Sequence, residues 1–255
     1  MCIRDRQIRI CLRNDPADAS MHGMWSTLMM RNGNTDEALK AVDQAIRLKP
    51  GNAAFHSHRG QILATMLRLQ DAVAALEEAV RLDPQDHFTR LALARCLMAQ
   101  GAVAPAAAQA RQVLEGNPDS TEAAGMLGQL HAQLREFPLA LSYLNRVVEA
   151  TPGDPRAWSV RGHAQMQMGA PGPAEQDFLQ VLRLNPRDPG TLSTLAWLYF
   201  GTQRPDRLQW ALGELHQVAP QMAQLVQAQM QMGMAPAPVH GASAGMFQRF
   251  IDALR

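Results

Sequence analysis

The sequence predicts an all-α fold: an α-solenoid of antiparallel helix pairs with a C-terminal capping helix. Three observations predict it. Proline recurs at Pro16, Pro50, Pro84, Pro118, Pro152, Pro186 and Pro220, each 34 residues from the next, so that seven of the sixteen prolines share one phase. Two residues after each of the first six stands a side chain able to cap a helix: Asp18, Asn52, Asp86, Ser120, Asp154 and Asp188. The composition, 47% hydrophobic but only 5% aromatic, is rich in the helix formers Ala, Leu, Gln, Met and Arg and sufficient for a core. A fixed period of this length marks a supersecondary unit stacked on copies of itself.

The other prolines place the helices within the period. With repeats counted from 19, 53, 87, 121, 155 and 189, Pro155 and Pro189 stand at position 1, and Pro171, Pro205, Pro138, Pro105 and Pro173 at positions 17 to 19. Proline is tolerated in a first helical turn but costs about 3 kcal/mol inside a helix, so both places are helix beginnings. A helix A over positions 1–14 and a helix B over positions 18–30 follow. In DAVAALEEAVRL, Ala72, Leu76, Ala79 and Val80 form one apolar face and Glu77, Glu78 and Arg81 the other. Small residues at position 8 (Ser26, Gly60, Ala94, Gly128, Gly162, Ala196) and alanines at position 20 (Ala38, Ala72, Ala106, Ala140, Ala174) let the two helices approach closely.

On these residues the chain resembles the tetratricopeptide repeat family, whose 34-residue unit has small residues at 8 and 20, an apolar one at 24 and proline at 32. Position 24 is Val42, Leu76, Ala110, Leu144, Phe178 and Leu212. The resemblance covers six repeats, 19–52, 53–86, 87–120, 121–154, 155–188 and 189–220, with a partial repeat at 7–18. It implies a right-handed superhelix. Repeat 6 departs from the pattern, with Leu208 at position 20, and its A-to-B packing is expected to suffer.

Outside the repeats, 221–233 is expected to cap the stack, 234–243 to be a Pro and Gly linker, and 244–255 to form an amphipathic helix with Phe247, Phe250, Ile251 and Leu254 on one side. That helix is expected to dock on the end of the stack, or else to serve a partner or a downstream domain. Residues 1–6, MCIRDR, are expected to be translated adapter from a sequencing library, with the native start and any targeting signal upstream, which leaves the compartment open.

Charge and motifs narrow the function. Lys plus Arg is 24 and Asp plus Glu is 23, with the basic residues dispersed, so nucleic acid and anionic membrane are not favoured as partners. No apolar run approaches a membrane span. Cys2, Cys11 and Cys96 show no metal or redox spacing, and Cys96 is expected in the core. His56 and His58, two apart on a helix, face different ways and do not share a metal. Without a nucleophile elbow, phosphate loop or metalloprotease motif, no catalytic residue, cofactor or metal is expected, and the chain reads as a non-enzyme.

The resemblance implies instead that a protein or peptide binds along the inner side chains of helix A, at positions 2, 5, 6, 9, 12 and 13. The expected contacts are His58, Arg95, Gln129, His163 and Trp197. Soft Met24, Met30, Met98, Met126 and Met166 lie on the same positions and suit an irregular ligand or simple packing. A family clamp for chaperone C-terminal carboxylates needs Lys and Asn at set positions in three consecutive repeats. Lys occurs only at Lys40 and Lys49, both in helix B, so that ligand is disfavoured. The alternatives are the repeat region of a larger enzyme, for example a transferase, or of a bacterial envelope assembly or secretion factor.

Overall fold

The computed structural model describes residues 3–232, without the side chains of 3–7 and 9. The expected linker 234–243 and terminal helix 244–255 lie outside the described residues. Fourteen α-helices and no strand occur among them. The A helices are α2 (Ala19–Arg31), α4 (Ala53–Thr65), α6 (His87–Ala99), α8 (Thr121–Gln133), α10 (Pro155–Gln167) and α12 (Pro189–Gly201). The B helices are α3 (Thr35–Leu48), α5 (Leu69–Leu82), α7 (Val103–Gly116), α9 (Phe137–Ala150), α11 (Pro171–Leu184) and α13 (Pro205–Val218). Each series starts every 34 residues. The chain opens with α1 (Ile3–Asn14), which includes residues 3–6 of the expected adapter, and α14 (Pro220–Gln231) follows the last pair.

Every A helix begins at a cap of the kind its sequence offers. Asp18, Asn52, Asp86, Asp154 and Asp188 accept from backbone N–H groups of the first turn at 2.7 to 3.0 Å, and Ser120 Oγ accepts from Ala123 at 3.3 Å. Such caps contribute about 1 kcal/mol each. A second bond locks the same joint. The position 4 side chains of His22, His56, Arg90 and Trp158 each donate to the carbonyl of the phase proline six residues earlier, at 2.8 to 3.0 Å. Because a carbonyl only accepts, His22 and His56 carry their proton on Nε2.

The A-to-B turn is equally uniform. Position 15 adopts positive φ in all six repeats, at Gly33, Leu67, Gly101, Arg135, Gly169 and Gln203. Its N–H bonds the carbonyl three back, and the next N–H reaches the carbonyl five back, as in Gly33 to Met30 and Asn34 to Met29. This paired pattern closes a helix through a left-handed residue and sends the chain back antiparallel. Most B helices then start without a side-chain cap, and α9, α11 and α13 use proline in the first turn.

Within a pair, helices cross where position 8 lacks bulk. A Cβ on Gly60 would lie 2.5 Å from Leu76 Cγ, and one on Gly128 2.6 Å from Leu144. Gly162 faces Phe178 in the same way at 3.0 Å. In repeat 1, Ser26 donates to the Ala38 carbonyl at 2.7 Å, a direct bond from position 8 to position 20. Repeat 6 still packs α12 on α13, but Leu212 at position 24 is only partly buried, whereas Val42, Leu76, Ala110, Leu144 and Phe178 are fully buried.

The chain divides into two compact units, Met1–Ala123 and Ala124–Arg255, the division falling inside α8. In the first, α1 to α7 pack each on the next, and α4 also touches α6. In the second, α9 to α14 pack in order and α14 also rests on α12. One of its clusters gathers Phe178, Leu192, Leu195, Trp197, Leu198 and Tyr199 with Ala223, Val226 and Met230 of α14. Polar ties accompany the cores. Arg161 forks onto Asp177, a carboxylate on a 2% exposed residue, at 2.7 and 2.8 Å. Tyr199 donates to Glu175 at 2.9 Å, and burial followed by that bond pushes its hydroxyl up to about 12.

Three of the six left-handed positions carry a side chain, so relief is available there. Leu67 is 82% exposed and gains nothing from packing. Leu67→Gly removes about 1–2 kcal/mol of left-handed strain against about 0.5–1 kcal/mol of added chain entropy. It should raise the urea midpoint, and Gly101→Val should lower it; a lowered midpoint for Leu67→Gly contradicts the assignment.

Candidate functional site

In the first unit, α2, α4 and α6 lie side by side, and the contact from one A helix to the next repeats. Position 5 of one meets position 3 of the next. Gly23 makes room for Phe55, whose Cε1 would sit 2.7 Å from a Cβ there. One repeat later, Ser57 and Thr89 hydroxyls are 2.7 Å apart and Thr89 is 2.5 Å from Asp86. Thr89 has one proton and the carboxylate only accepts, so Thr89 donates to Asp86 and accepts from Ser57.

This contact leaves positions 2, 6, 9 and 13 on the outside of the three helices. Met24, Thr27 and Arg31 are exposed on α2, His58 and Gln61 are half-buried on α4, and Phe88 and Arg95 are exposed on α6. Met24 is 50% and Phe88 59% exposed, unusually open for such large apolar groups. Arg95 forms an ion pair with Glu122, at position 2 of the following repeat. A pocket of about 150 Å³ opens beside α1, lined by Ile8, Met24, Thr27, Leu28 and Arg31.

The second unit treats the equivalent positions differently. Gln129 and Gln133 are exposed and Ser159, His163 and Gln167 half-buried, but Met126, Met166 and Thr194 are buried. Trp197, expected as a groove contact, is 2% exposed. Its ring lies edge-on to Phe200, with centroids 5.8 Å apart, in the cluster shared with α14. Trp197 is therefore a core residue: α14 covers the face of α12 that position 9 occupies.

Neither expected histidine contact is a plain surface group. Burial pulls His58 below its ordinary value of 6.5, with the Ser26 backbone working in the opposite direction, and its Nε2 is buried with no hydrogen-bond partner among the described residues. His163 is pulled down likewise by burial. Its Nδ1 donates to the Ser159 carbonyl at 2.7 Å, and its ring meets Phe178 edge-on at 5.0 Å. In both, burial disfavours the charged imidazolium.

Family models described as tetratricopeptide repeat match residues 24–87, 97–164 and 155–188. The chain belongs to the tetratricopeptide repeat family. Three similar solved structures illustrate the fold. A tetratricopeptide repeat protein from Parabacteroides merdae has a TM-score of 0.70 at 18% identity, over 92% of this chain and 98% of that one. For pilF of Pseudomonas aeruginosa the TM-score is 0.68 at 16% identity, over 84% and 98%. YrrB, a tetratricopeptide protein with an unusual peptide-binding site, gives 0.61 at 20%, over 70% and 92%. At such identities the likeness is one of fold alone. No curated protein matches the sequence.

Among the described residues of this tetratricopeptide array, no group of three or more His, Cys, Asp or Glu side chains could hold a metal, and no helix is long and apolar enough to cross a membrane. Cys96 is buried in α6, which pushes its thiol up and keeps it neutral. The Arg95 to Glu122 pair was not visible from spacing alone. Positions 9 and 2 of successive repeats come together only once the register between A helices is known.

The two lowered histidines have a measurable consequence. Unfolded, they take up a proton near 6.5; folded, only at lower pH, so the unfolded chain binds more protons below 6.5. Their contribution to stability is complete above pH 6.5 and is lost as pH falls through the lowered folded values. Urea unfolding at pH 7.5 and 5.0 should show a smaller acid loss for His163→Gln than for the unaltered protein. Equal losses would contradict the burial of that imidazole.

Proposed function

We propose that the chain is a non-catalytic scaffold that holds a polypeptide along the side chains of α2, α4 and α6. The observation that carries this reading is the exposure of Met24 and Phe88 among Arg31, Gln61 and Arg95. Isolated exposed apolar groups are ordinary, but here they sit on α2 and α6, to either side of α4, at positions that the family uses for ligand contact. Aromatic and arginine side chains of this kind supply most of the affinity in protein interfaces. Met adapts to the ligand's shape, while the amide and guanidinium groups can bond an extended backbone. The peptide-binding site of YrrB, a protein of similar fold, supports the same class of activity.

The contacts we assign in the first unit are Phe88, Arg95 and half-buried His58; in the second unit, taken by itself, Gln129 and His163 hold the position 9 that Arg95 holds in the first. The Arg95 to Glu122 pair is solvent-exposed and holds the guanidinium weakly, so a ligand carboxylate can take Glu122's place.

A peptide selected by display against the full chain gives the test. Phe88→Ala and Arg95→Ala should each weaken its binding about tenfold or more, with unchanged helical circular dichroism. Unaltered affinity in both variants would remove this face from the account.

A further inference from the structure

The α2 end of the face formed by α2, α4 and α6 differs from the rest, because it holds the pocket of about 150 Å³. Met24, Thr27, Leu28 and Arg31 stand at i, i+3, i+4 and i+7, one side of α2, and Ile8 of α1 joins them. Ile8, Met24 and Leu28 give it apolar walls, while Thr27 and Arg31 are exposed. The Thr27 hydroxyl already donates to the Gly23 carbonyl at 3.0 Å. The Arg31 guanidinium is thus the donor at this pocket that has no partner among the described residues.

That lack is unusual in this chain. Arg59, Arg68, Arg81, Arg95, Arg161 and Arg204 each meet a carboxylate. Around the pocket the charge is of one sign: from residue 7 onward α1 and α2 carry Arg9, Arg13 and Arg31 and neither Asp nor Glu.

We propose that this pocket reads the sequence of the bound polypeptide: it takes one apolar side chain of leucine to phenylalanine size, and Arg31 pairs with an aspartate or glutamate close by in the same ligand. The inference rests on the reading just given and names the ligand class. An apolar cavity of about 150 Å³ holds a benzene-sized molecule, so a single such side chain fills it. A polar side chain would lose its bonds to water there without replacement. The guanidinium fork matches a carboxylate with two parallel bonds, whereas a basic ligand residue would meet unneutralised like charge. Arg31 lies one helical turn from Thr27 and Leu28, about 5–6 Å, which is one to two residues of extended chain. The carboxylate therefore falls within two residues of the apolar side chain.

Peptides selected by display against the full chain should share that pairing. For one of them, Arg31→Gln in the protein and the neutral amide in place of the peptide's carboxylate should each weaken binding about fivefold or more, and together little more than either alone. Thr27→Trp, which sets an indole at the pocket from an exposed position, should weaken binding about tenfold with unchanged helical circular dichroism. Selected peptides without the pairing, multiplicative losses in the cycle, or parental affinity for Thr27→Trp would overturn the proposal. The scaffold reading survives that result if Phe88→Ala and Arg95→Ala still weaken the same peptide, and falls with it if they do not.

Discussion

Helices A and B of each repeat approach so closely that nothing larger than a serine side chain stands at position 8 where they cross, and the rest of the structure depends on that contact. It is a matter of paired volumes. Where position 8 is glycine, at Gly60, Gly128 and Gly162, position 24 is the large Leu76, Leu144 or Phe178. Where position 8 gains a hydroxymethyl or methyl, at Ser26 and Ala94, position 24 shrinks to Val42 or Ala110. Repeat 6 combines Ala196 with Leu212, and there the partner is only partly buried. Interiors packed to crystal density tolerate little deviation from such a match.

Once a pair is closed, its ends must be turned and joined at fixed length. The left-handed residue at position 15 turns the chain into helix B, and an Asp, Asn or Ser cap, joined in four repeats by the position 4 donor on the proline carbonyl, holds the next helix A. Those constraints fix which side chains of α2, α4 and α6 look outward. Met24, His58 and Phe88 owe their placement to backbone joints, and the surface we propose for recognition stands on helix pairs that are already packed.

Much of this was legible in the sequence. Proline at a fixed phase and a capping residue two places on mark the helix starts, since each reports a backbone requirement that few residues meet. The left-handed turn was half visible: Gly33, Gly101 and Gly169 signal it, but Leu67, Arg135 and Gln203 adopt the same φ without any side-chain sign. The role of position 4 was hidden because histidine, arginine and tryptophan share only an N–H. The face was harder still. Trp197 has the position of a groove residue, and only the packing of α14 on α12, a contact outside the repeat period, removes it to the core.

The paired-volume account is tested most directly by a double-mutant cycle at Gly60 and Leu76. Gly60→Ala alone should lower stability by about 1–2 kcal/mol in urea unfolding, despite alanine's helix preference, because its methyl meets Leu76. Adding Leu76→Val should recover part of that loss, giving a coupling of about 0.5 kcal/mol or more. Strictly additive losses, or a Gly60→Ala variant as stable as the parent, would contradict it.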